Sequence, residues 1–397
     1  MKRLWPTLIE LVVALVEVER AAGQATNATT LQFKYELHTA LSGALHESAN
    51  EHRTYVNDLV HKVFVDSKGW VFAGTANGLA VYDGKQWTNR TFKFDLDGLP
   101  LKWRAALSLF GSSECGPEEI VEGPPGTIWL GGLGCGVWRF RDGRYDETGA
   151  SPRHSNYLGM AVDSGGALWV VTRESVHKYD GQSWLTVLSP YLARTVHREL
   201  PQLYGVVVAT NGSVWIGGTQ YGNPEPPREH DGTVWVVDQK LKKRGDGPPM
   251  AGLYEFHGSG WRAFGSPHGL GIQSRDTVIP KLDGQGRVAV TTRKGYHVRQ
   301  GENWKPLTES DVHAGKRWVL RGRSRGWLRG YFTELLFREG ERLVRVQPRD
   351  NQTGQVLDFR TESLGRLHMA EDRTRDCIWL GTTHGLYRIW LEKDPKR

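Results

Sequence analysis

Between residues 57 and 391 the chain alternates apolar and polar positions in short runs, each bounded by Gly, Asp or Asn. Period-two alternation marks strands with one face in a core, whereas an amphipathic helix would repeat its apolar positions about every 3.6 residues. The runs also recur as a unit. Asp66-Ser-Lys-Gly69-Trp-Val-Phe72-Ala-Gly74-Thr75 leads through Gly78-Leu79 to Tyr82-Asp83-Gly84 and Trp87, and related stretches start at Gly126, Asp163, Asn211, Asp283, Trp327 and Asp376. A mostly aromatic slot holds the same place in each copy: Phe72, Trp129, Trp169, Trp215, Ala289, Trp327 and Trp379. With a long insertion after Trp215 set aside, the unit is about 40 residues, the length of a four-stranded propeller blade. The seven copies predict an all-β, seven-bladed β-propeller of four-stranded antiparallel blades.

Each conserved place in the unit has a physical task. Asp-x-x-Gly is a tight turn between the first two strands, a and b, with Gly taking positive φ and Asp bonding the local backbone. The slot residue fills the wedge between neighbouring blades, and the small Gly-Gly or Gly-Thr pair after it lets backbones approach closely. Asp83-Gly84 and Asp180-Gly181 predict primed hairpin turns between strands c and d. The last copy ends after its third strand, Leu386 to Trp390, while Leu31 to Thr39 alternates cleanly ahead of the first strand a, Val60 to Val65. The N-terminal strand is therefore expected to complete the last blade and close the ring, leaving no open edge.

Composition narrows the class. Most of the excess behind the 48 Gly and 16 Trp belongs to the repeat architecture, and three Cys exclude a disulfide scaffold or a Cys-rich metal site. A net charge of +7 over 397 residues is a mild bias toward anionic partners and does not point to nucleic acid. Met1-Lys2-Arg3 and the apolar run Leu4 to Val16, interrupted by Glu10, make residues 1–25 a candidate signal peptide. Residues 31–391 are expected to be one propeller and 392–397 a charged tail, with no membrane span in the mature chain. The expected location is periplasmic or secreted, and otherwise cytoplasmic.

The unit resembles the two-component regulator propeller repeat, whose pattern runs Asp-x-x-Gly-x-(Ile/Leu)-Trp-(Val/Ile)-Gly-Thr-x-x-Gly-(Leu)-x-x-Tyr-Asp-Gly. The resemblance is strongest at Asp66 to Trp87 and Asp376 to Ile389, fair at Gly126 to Tyr145 and Asp163 to Trp184, partial in the fourth and fifth copies, and weak in the sixth. It implies an extracytoplasmic ligand-sensing module, here expected without kinase or membrane segment. The Gly-x-(Ile/Leu)-Trp core is also similar to streptogramin lyase propellers.

Loop lengths choose the working end. The a–b and c–d turns are minimal, whereas the long connections (Asp95 to Glu118, Val187 to Leu203, Gln220 to Ala251, Pro306 to Gly315 and Val344 to Gly365) all fall at the other end. Long loops in compact folds commonly carry function. At that end the starts of the innermost strands offer Asn57, Glu118, Tyr157, Tyr204, Arg275, Asp276, Arg317 and His368, and the b–c turns add Arg173, Arg293 and His384. Aromatic rings beside Arg, Asn and carboxylates suit a polar, carbohydrate-like or anionic ligand, with Arg favouring acidic groups. Two alternatives stand beside this reading. One is a lyase or hydrolase with His368 or His384 as general base, and the other is a scaffold for a protein partner. No phosphate loop, His-Glu-x-x-His or nucleophile elbow is present, and no metal or cofactor is expected. Cys115, in the d–a loop before the second blade, and Cys135, in its b–c turn, fall on the same long-loop end and are a candidate disulfide if the protein is exported.

Overall fold

Every blade in the computed structural model is a small antiparallel sheet that winds outward from a central channel. The structure describes residues 31–38, 59–76, 78–93, 114–124, 126–149, 151–152, 157–172, 175–188, 203–219, 252–257, 260–264, 270, 276–283, 285–292, 294–301, 303–308, 311, 316–324, 331–357, 368–382 and 385–392. The innermost strands a are Val60–Val65, Glu119–Glu122, Tyr157–Val162, Leu203–Val208, Ile279–Leu282 and His368–Asp372 in blades 1 to 5 and 7. Strands b are Val71–Thr75, Thr127–Gly132, Leu168–Thr172, Val214–Gly218, Val288–Thr292, Trp318–Ser324 and Cys377–Thr382. Strands c and d follow as hairpins, and neighbouring strands a pack on one another around the ring. The architecture is the seven-bladed, all-β propeller that the repeat predicts.

The ring closes through the N-terminus. Phe33–His38 pairs antiparallel with the third strand of blade 7, Gly385–Leu391, with Tyr35 opposite Ile389. A feature outside the repeat covers its outer edge: Arg349–Asp350 pairs parallel with it, and Asn351 N–H donates to the Tyr35 carbonyl at 3.0 Å. Part of the expected long loop Val344 to Gly365 thus lies along the blade edge, where it removes the unpaired backbone groups of a closing strand.

The slot residues form the inter-blade wedges. Phe72 packs with Ile120, Ile128 and Phe140 of blade 2, Trp169 with Val206, Val214 and Ile216 of blade 4, and Trp379 with Val60, Val63 and Val71 of blade 1. In blades 1, 2, 4 and 7 the residue two places on is glycine. A Cβ built on Gly74 would stand 2.1 Å from the Pro117 carbonyl oxygen, and one on Gly217 the same distance from that of Val278.

Three details differ from expectation. The sixth wedge is Trp318, not Trp327, which lies outside the described residues; Trp318 is 3% exposed and meets Phe33 and Phe337 edge-on at 5.6 and 4.8 Å. Both tryptophans fit the local pattern, but only Trp318 keeps the Gly-x-x-slot spacing, through Gly315. The c–d turns at Asp83 and Asp180 are wider than primed two-residue turns. Each aspartate's Oδ1 accepts the N–H groups two and three residues on, at 2.7 and 2.8 Å from Lys85 and Gln86 and at 2.8 Å from both Gln182 and Ser183. Among the described c–d turns, only Asp142-Gly143 takes positive φ at both positions, +49° and +76°. In blade 7 the turn aspartate is Asp372, and Asp376 occupies the glycine place at φ +53°.

The turn aspartates also serve the wedges. Asp163 Oδ1 accepts from Gly165 and Ala167 N–H, while its Oδ2 takes the Trp169 indole N–H at 2.8 Å. Asp372 repeats the arrangement with Trp379 at 3.1 Å. Burial works against ionisation at Asp163, Asp283 and Asp372, but the donated hydrogen bonds outweigh it and hold all three carboxyls below the usual range. Such a carboxyl stabilises the fold above its unfolded value of ~3.9 and loses that contribution as pH falls through the folded value. Thermal melts below about pH 4 are therefore expected to fall steeply, and less steeply in Asp372→Asn. Equal slopes would remove Asp372 from the account. Asp66 runs the other way, since burial and the neighbouring Glu122 raise it, so its ionised form costs stability at neutral pH.

Candidate functional site

Strand register sets one level of the innermost strands. The cross-strand partner of the residue two places after the slot is Gly159 in blade 3 (opposite Val171) and Ile279 in blade 5 (Thr291), and four polar residues elsewhere: Lys62 in blade 1 (Gly74), Glu119 in blade 2 (Gly131), Tyr204 in blade 4 (Gly217) and His368 in blade 7 (Gly381). All four residues are half-buried. Lys62 Nζ and Glu119 Oε2 are 2.7 Å apart, so the pair joins the innermost strands of adjacent blades. A cation, a carboxylate, a phenol and an imidazole therefore share one tier of the innermost strands. The sequence reading points to Glu118 and to neither Lys62 nor Glu119. Alternation within strand a, counted from the slot, is the signal that finds both.

The other candidates separate into groups. Glu118, Tyr157 and Asp276 do stand at the starts of strands a, on the same end. Tyr157 is 2% exposed, its hydroxyl donates to the Pro152 carbonyl at 2.6 Å, and its N–H is accepted by Glu118 Oε2 at 3.1 Å. Those bonds make Tyr157 and Glu118 a clamp between blades 2 and 3. Asp276 is 4% exposed. Arg317 belongs to the opposite end. It precedes strand b of blade 6 instead of a strand a, pairs with Asp376 beside the a–b turn of blade 7, and lies over the Phe337 ring at 5.1 Å. Asn57, Arg173, Arg275, Arg293 and His384 lie outside the described residues.

Cys115 and Cys135 are joined as a disulfide with Cα atoms 5.9 Å apart. The bridge ties Glu114–Cys115, which pairs with Phe92–Lys93, to the b–c turn of blade 2 at the long-loop end. Cys377 is a buried free thiol whose pKa burial pushes up to about 11, which makes it inert as a nucleophile at neutral pH. Among the described residues no three His, Cys, Asp or Glu side chains gather to hold a metal ion. No described helix is long and apolar enough to cross a membrane.

Neither a protein-family profile nor a curated protein matches this chain. Solved structures do. The chain is similar to the extracellular domain of a hybrid two component system from B. thetaiotaomicron, at 13% identity and a TM-score of 0.50, covering 91% of this chain and 40% of that one. A second such domain from the same organism matches at 14% identity and a TM-score of 0.47, with 84% and 40% covered. Virginiamycin B lyase from Staphylococcus aureus matches at 10% identity and a TM-score of 0.48, with 91% and 100% covered. The chain spans about two fifths of the sensor domains it matches. At 13% identity the first of these likenesses shows a shared fold: this chain is a β-propeller.

Proposed function

We propose that the protein is a binding propeller that takes a polar, carbohydrate-like or anionic ligand at the long-loop mouth of its channel. The observation that carries this is the tier formed by Lys62, Glu119, Tyr204 and His368, four different hydrogen-bonding chemistries brought to one level by strand register. Mixed polar groups of this kind orient a hydroxylated ligand, and Lys62 supplies a charge-assisted bond to an acidic one. The Cys115–Cys135 disulfide supports a periplasmic or secreted setting, because cytosolic thiols are kept reduced. The likeness to an extracellular domain of a two component system agrees with that setting.

A thermal-shift screen against neutral and uronate-containing disaccharides tests it. A ligand at ~100 times its Kd adds about 2.7 kcal/mol to the folded state, an easily read rise in Tm. That rise should shrink in Lys62→Ala and in His368→Ala. No hit across the panel, or hits unaffected by both substitutions, would remove the channel mouth as the binding site.

A further inference from the structure

The repeat is broken in blade 4 in a way that opens a cleft. Six places before the slot, blades 1, 3 and 5 carry Asp66, Asp163 and Asp283, whereas blade 2 carries Gly123 and blade 4 carries Ala209. Shorter groups take over the lost carboxylate's bonds: Asn211 Oδ1 accepts the Ser213 hydroxyl at 2.8 Å, and Ser213 Oγ accepts the Trp215 indole N–H at 2.9 Å. The charge pattern inverts as well. Across strand c, Trp129, Trp169 and Trp379 face the cations Arg139, Lys178 and Arg388, but Trp215 faces Glu255. Its cation comes from blade 5 instead. Arg299 lies 4.7 Å over the Trp215 ring and bonds Glu255 Oε1 at 2.8 Å.

Between blades 4 and 5, at the short-turn end, these changes accompany a cleft of about 700 Å³. That volume is typical of small-molecule sites. Turn backbone forms part of its wall, and a Cβ on Gly301 would meet nothing within 4 Å. Two guanidinium groups besides Arg299 line it. Arg287 is anchored by Nε and Nη2 to Asp283 Oδ2 at 2.8 and 2.7 Å, yet its side chain stays 43% exposed. Arg262 stacks on the Phe264 ring at 5.0 Å. Held in place and open to the cleft, such groups match the geometry of a carboxylate. Thr210 and Asn211 add hydroxyl and amide groups to the same lining.

We propose that this cleft binds a small hydroxylated organic anion, with its carboxylate at Arg287 and Arg262 and its hydroxyls at Thr210 and Asn211. The site lies at the opposite end of the propeller from the channel mouth and does not depend on that reading.

Calorimetric titration of the full chain with glucuronate, and with glucose as the neutral counterpart, tests the assignment. Glucuronate is expected to bind at least about tenfold more tightly than glucose, a difference of ~1.4 kcal/mol. Arg287→Gln should weaken glucuronate by a similar factor. Ala209→Asp restores the carboxylate that blades 1, 3 and 5 carry at this place, so it should keep a cooperative melt at an unchanged or higher Tm while abolishing binding. Equal affinity for the two sugars, no heat with either, or glucuronate binding that survives both substitutions would overturn the proposal.

Discussion

Replacing Trp169 by alanine is expected to lower the unfolding free energy by about 3–5 kcal/mol, the range for deleting a large buried aromatic. The side chain is fully buried, meets Phe256 of the next blade at 5.0 Å, and lies under Lys178 Nζ at 5.0 Å. Its loss leaves a cavity between two blades whose backbones are already at closest approach, so collapse cannot fill it: Gly159 Cβ would stand 2.9 Å from Gly205 Cα. Trp169→Phe keeps most of the volume and forfeits the Asp163 bond, which is worth about 1 kcal/mol net. Guanidinium melts should therefore rank wild type above the Phe variant and the Phe variant above Ala. An alanine variant as stable as the wild type would mean that the slot is not a wedge.

Deleting residues 1–38 is expected to have a still larger effect, because it removes the strand that closes the ring. Phe33 and Tyr35 are buried with Trp318, Phe337, Ile378 and Ile389, so the deletion exposes the facing cores of blades 6 and 7 together. It also leaves Gly385–Leu391 with an unpaired edge, a template for association with other chains. The truncated chain should elute as aggregate and lose its cooperative transition. Adding a peptide of residues 31–38 in excess should restore a soluble, cooperatively melting species, which separates ring closure from a general failure to fold. A truncated chain that melts like the intact one would show that closure is made elsewhere.

The blade architecture was legible because its determinants are local. Gly three places before the slot in most copies, apolar alternation on either side and, in four blades, glycine two places after it specify turn, strand and close approach within a few residues. The same signals located the closing strand, since Leu31 to Thr39 alternates and blade 7 otherwise lacks a fourth strand. The sixth slot was misplaced where two tryptophans, Trp318 and Trp327, offered similar local patterns. Arg317 was assigned to the wrong end with it, because a position is known only once its strand is.

By itself, then, the chain's pattern determined the fold class, the repeat and the closure: these follow from hydrophobic period and turn chemistry, which act over a few neighbouring residues. Only the tertiary structure decided which charged groups meet. Lys62 and Glu119 are joined across two blades, and Arg299 substitutes for a missing cation beside Trp215 from the blade next door. Such pairs depend on register and on the packing of separate sheets, and contacts between residues 44 or 57 positions apart leave no trace in local periodicity.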